Sequence, residues 1–134
     1  VSKGVPAISG TSGMKPAAEL YKRKNVVQQV VMVKADSLLL TLYDNGEVDG
    51  DTVSVLMNGE VLIDRQLLTT KAMRKTVYLP AGAYSVQLIM YAESLGSIPP
   101  NTGLLVIRDG QDVYEVRFSG DLERNAAILL KRRR

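Results

Sequence analysis

Residues 42–63 read LYDNGEVDGDTVSVLMNGEVLI. Apolar residues lead up to Tyr43, give way to carboxylates, Asn and Gly over Asp44–Asp51, and resume with Val53 and Val55 on one face. Alternation with period two marks a half-buried strand, because successive side chains point to opposite faces of a sheet. Asn58-Gly59 follows as a two-residue hairpin turn, since a type I′ turn needs positive φ at both central positions. Val61–Ile63 returns as the partner strand. The stretch is a strand, an acidic loop, a strand, a tight turn and a strand, which makes an all-β domain the expectation.

The flanking sequence continues the pattern. Val26–Val33 (VVQQVVMV) and Ser37–Tyr43 (SLLLTLY) are β-branched or apolar runs of strand length. Lys75–Leu79 leads into a turn at Pro80-Ala81-Gly82, and Ala83–Ala92 alternates beyond it. Leu104–Ile107 and Val113–Phe118 flank Asp109-Gly110, a second hairpin signal, and Ala126–Leu130 closes the domain. One helical turn is expected over Leu67–Met73, and no window supports a long amphipathic helix. Turn signals recur every 8–12 residues or so, the spacing of a sandwich or barrel. The expected fold is an Ig-like antiparallel β-sandwich of about eight or nine short strands with an extended N-terminal arm.

The arm is residues 1–19, VSKGVPAISGTSGMKPAAE, in which Gly, Pro and Ser sit among small residues without a sustained period. Residues 20–134 form the sandwich domain with its basic C-terminal end. The sequence starts at Val1 rather than Met, so processing upstream is expected.

A chain of 134 residues, 46% hydrophobic, suits one domain with a real core. It has no Cys and no His. That excludes disulfides, zinc-thiolate sites, thiol nucleophiles and every Ser-His arrangement, and it removes the usual transition-metal ligand. No apolar run approaches the roughly 18–20 residues of a membrane-spanning helix. Residues 1–34 carry Lys3, Lys15, Lys22, Arg23, Lys24 and Lys34 against Glu19, and the chain ends Lys131-Arg132-Arg133-Arg134. Acidic residues outnumber basic ones in between. The net charge of +3 therefore belongs to the two ends, and an acidic body with basic ends suits contact with copies of itself or with an anionic partner.

Two features are candidates for chemistry. Within DNGEVDGD, Asn45, Glu47, Asp49 and Asp51 are the oxygen donors that a hard cation such as Ca²⁺ prefers. In an EF-hand register Leu56 falls where the bidentate Glu belongs, so this is not an EF-hand, and a turn that uses Asp, Asn and Gly for their backbone preferences is the alternative. The second feature is the ends: Val5 and Ile8 in the arm, Lys22-Arg23-Lys24, and Lys131-Arg132-Arg133 are candidates for partner binding. A tail such as GVPAISG suits addition to an exposed sheet edge. No opposed carboxylate pair or nucleic-acid motif is visible, and the chain has no Trp and one Phe.

The blocks LYDNGEVDGDTVSVLMNGEVLI, LLTTKA (67–72), AESLGSIPPNTGLLVI (92–107) and YEVRFSGDLERNAAI (114–128), in that order, resemble a small β-sandwich domain of Bacteroidetes surface and secreted proteins. The similarity covers roughly residues 22–130. It implies an extracellular or cell-surface location and a module appended to others, without catalysis. The arm and the end Lys131–Arg134 depart from that pattern. The expected function is a non-catalytic structural or interaction module of a bacterial surface assembly. Its partners would be proteins, copies of itself or other subunits, with no nucleic acid and no cofactor unless Ca²⁺. The alternative is an accessory domain that binds an anionic or carbohydrate ligand.

Overall fold

The computed structural model describes residues 15–44, 50–95 and 100–133. Nine strands follow a short 3₁₀ turn at Leu20–Lys22: β1 (Lys24–Val33), β2 (Ser37–Tyr43), β3 (Thr52–Met57), β4 (Glu60–Leu67), β5 (Met73–Tyr78), β6 (Ser85–Ser94), β7 (Asn101–Asp109), β8 (Asp112–Gly120) and β9 (Arg124–Arg132). They form a five-stranded sheet in the order β1-β9-β6-β3-β4 and a four-stranded sheet in the order β5-β2-β7-β8. Only the β3–β4 and β7–β8 connections stay within one sheet, and the others cross the sandwich.

Alternation sets the core. Leu38, Leu40 and Leu42 of β2, Leu105 and Ile107 of β7, and Val116 and Phe118 of β8 face Val53, Val55, Leu88, Met90, Ala126, Ile128 and Leu130 of the larger sheet. All are buried, and each large side chain stabilises by about 1.5–3 kcal/mol on burial. Gly103 of β7 lies opposite Phe118, and the missing side chain makes room for the ring.

The β3–β4 hairpin turns at Asn58 and Gly59 with φ of 50° and 89°, as a type I′ turn requires. Two expectations are corrected. Leu67–Met73 holds no helical turn: Leu67 ends β4 and Met73 opens β5, and the segment's hydrogen bonds run to Asp44 and Asp51 on the neighbouring loop. The β7–β8 turn residues are Gly110 and Gln111, one position later than expected, because Asp109 pairs with Asp112 in the ladder. Asp109 is instead buried, and its carboxylate accepts the N–H groups of Lys34 (2.7 Å) and Ala35 (2.9 Å). The expected antiparallel sandwich is present, with one parallel pairing within it, β1 with β9.

The outer face of the five-stranded sheet carries a second apolar cluster. Leu56, Ile89, Tyr91 and Ala127 pack there under Ala17 and Leu20. Residues 15–23 therefore form a layer on their own domain.

Candidate functional site

The acidic loop is rooted by two buried carboxylates, Asp44 and Asp51. Asp51 Oδ2 accepts the N–H of Thr102 at 3.2 Å, and the Asp51 carbonyl accepts the N–H of Leu68 at 2.9 Å. Next to it Asn101 is buried, and its Nδ2 donates to the carbonyls of Thr52 (3.0 Å) and Ser94 (2.8 Å). Of the proposed cation ligands, Asn45, Glu47 and Asp49 lie outside the described residues. Among the described residues no group of three or more acidic side chains is arranged to hold a metal ion.

The basic clusters are separated by the β1–β9 pairing. Lys24 lies beside Arg124 where both strands begin, and Val33 lies beside Arg132 where both end. At about 3.3 Å per residue, a ten-residue strand puts Lys22–Lys24 and Lys131–Arg133 roughly 30 Å apart. They do not make one patch.

Two of the arginines are used internally. The Arg23 guanidinium sits 3.8 Å from the centre of the Tyr91 ring, a cation–π contact, and Nη1 donates to the carbonyls of Ala92 (2.8 Å) and Asp121 (3.3 Å). Arg132 donates through Nη1 to Asp36 Oδ1 at 2.7 Å and through Nε to the Ala83 carbonyl at 3.2 Å. Lys22, Lys24 and Arg133 remain exposed, and Lys131 is half-buried. Val5 and Ile8 lie outside the described residues.

The base of the arm is held firmly. The Ala17 N–H donates to Glu93 Oε2 at 2.7 Å, and the same oxygen accepts the Ser54 hydroxyl at 2.6 Å. Ser54 Oγ in turn accepts the N–H of Arg65, a residue at positive φ in β4. The Glu19 N–H donates to the Tyr91 hydroxyl at 3.0 Å. Ala17 itself has a φ of 55°, a costly conformation for alanine that these contacts hold in place.

Two recesses flank these elements. One of about 570 Å³ lies at the end of the sandwich among Asp36, Leu79, Ala83, Tyr84, Arg132 and Arg133. The other, about 440 Å³, opens beside the arm's base between Tyr21, Asn25, Asn58 and Gln87, with Leu20 and Ile89 among its lining residues. Sequence reading missed the second recess, because its residues lie far apart in the chain and Asn58 reads as a turn residue only. The exposed tyrosines Tyr21, Tyr78 and Tyr84 do not gather on one sheet face: Tyr78 ends β5 in the smaller sheet, and Tyr84 lies in the β5–β6 loop.

Asp121, in the β8–β9 turn, has a clearly displaced pKa. It is held below the ordinary aspartate range because its carboxylate accepts the N–H groups of Glu123 and Arg124, with the Arg124 charge adding to this. No helix among the described residues is long and apolar enough to cross a membrane. No family model, curated protein or solved structure matches the chain.

Proposed function

We propose that the protein is a non-catalytic structural or interaction module of a bacterial cell-surface or extracellular assembly, with contacts made by the N-terminal arm. The observation that carries this reading is the anchoring of residues 15–23. Hydrogen bonds to Glu93 and Tyr91 and burial of Ala17 fix residues 15–23 on the domain, next in sequence to the segment that holds Val5 and Ile8. A fixed root lowers the entropy lost when an arm engages a partner. The exposed Lys22 and Lys24 stand beside that root and suit an acidic body on a neighbouring copy. A chain without His or Cys lacks the common nucleophile–base pairs, which supports a role without catalysis.

The test compares the full chain with a form starting at Lys15, which keeps the buried Ala17. Mass photometry and light scattering should find assemblies of the full chain that the shortened form does not make. Equal monomeric masses for both would end the proposal. Within the same reading the acidic loop binds Ca²⁺ weakly through Asn45, Glu47, Asp49 and Asp51. Millimolar Ca²⁺ should raise the melting temperature, and no rise would rule the ion out.

A further inference from the structure

We propose that the recess between Tyr21, Asn25, Asn58 and Gln87 binds a neutral saccharide. The recess, about 440 Å³, falls in the size range of small-ligand sites, which run from roughly 300 to 1,000 Å³. Its lining combines an aromatic face with carboxamides and contains no carboxylate. Tyr21 is 93% exposed, so its ring is open to a ligand. The tyrosine hydroxyl lies over the hairpin tip, 3.8 Å from where a Cβ on Gly59 would stand.

The carboxamides have capacity to spare. Asn58 uses Oδ1 to accept the N–H of Gln87 at 2.9 Å, which leaves its NH₂ group for a ligand. Asn25 uses Oδ1 to accept from Asn125 Nδ2 at 2.9 Å and likewise keeps its NH₂. The Gln87 side chain offers both a donor and an acceptor. A sugar ring presents an apolar face to stack on an aromatic ring and hydroxyls that both donate and accept, which matches this set.

Charge selects against other ligands. The Arg23 guanidinium in the lining stacks on the Tyr91 ring and donates through Nη1 to the carbonyls of Ala92 and Asp121, so part of its charge is used inside the protein. With no carboxylate in the lining, a cation finds no partner.

This inference does not depend on the arm, because every residue named lies in the domain or its anchored base. The test is amide chemical-shift mapping on the full chain with maltose, cellobiose, mannobiose and N,N′-diacetylchitobiose, and with AMP as the charged aromatic control. At least one disaccharide should shift Tyr21, Asn58, Gly59 and Gln87 with a millimolar Kd. Tyr21→Ala should weaken that binding about tenfold or more, while the exposed Lys75→Ala on the other sheet leaves it unchanged. Silence from all four sugars, binding insensitive to Tyr21→Ala, or shifts from AMP alone would each overturn the proposal.

Discussion

At Gly103 the pairing with Phe118 leaves no room for a methyl group. An added Cβ would lie 2.8 Å from Phe118 Cε2, closer still to Cζ, and 3.0 Å from Leu68 Cδ1. Phe118 and Leu68 are both buried and cannot swing away. Gly103→Ala should therefore cost about 1–3 kcal/mol, seen as a lower urea midpoint with an unchanged slope. Asp121 gives a pH signature. Its pKa is lowered by folding, so its contribution is present above the unfolded-state value of about 3.9 and is lost as pH falls through the folded value. Asp121→Asn keeps an acceptor oxygen but not the charge. Its stability deficit should be largest near neutral pH and close at the acid end, as thermal melts across pH will show. Glu93 ties the arm's base to β3, so Glu93→Ala should speed amide exchange at Ala17 and cost about 1–3 kcal/mol. At this scale the sequence was only partly legible. Asn58-Gly59 could be read because one local conformation demands those residues. Arg23 and Arg132 looked like free charges, because their partners Tyr91, Ala83 and Asp36 are distant in the chain.

Strands were the most legible level, since alternation is a local property of sequence and each of the nine expected runs overlaps an observed strand. Extra residues at strand ends, such as Asp64–Leu67 in β4, lacked alternation, and backbone pairing with Val53 and Thr52 recruits that stretch. Pairing between distant elements was not legible. One example is Gln28, at the irregularity in β1. Its side-chain amide donates to the Ser119 carbonyl at 2.6 Å and accepts the Ser119 N–H at 3.0 Å. A single side chain thus occupies the free edge of β8 and closes one side of the sandwich, as proteins do to protect sheet edges. Gln28→Ala should speed hydrogen exchange at Ser119 and lower stability by about 1 kcal/mol, with the core unchanged.

For the whole molecule, the layered β architecture was legible, and the site was not. The acidic loop drew attention because its carboxylates are adjacent in sequence. The carboxamide recess did not, because folding alone assembles it. The parallel pairing of the first and last strands also lay beyond local pattern, and it has a mechanical consequence. The ladder runs from Lys24 beside Arg124 to Val33 beside Arg132. A pull at the start of β1 and the end of β9 is directed along the strands, so it loads the ladder in shear, with its hydrogen bonds sharing the force instead of unzipping in turn. Single-molecule stretching between these two points should meet a high rupture force, and stretching across the strands a low one. A domain strung by its two ends between neighbours would then act as a tension-bearing link.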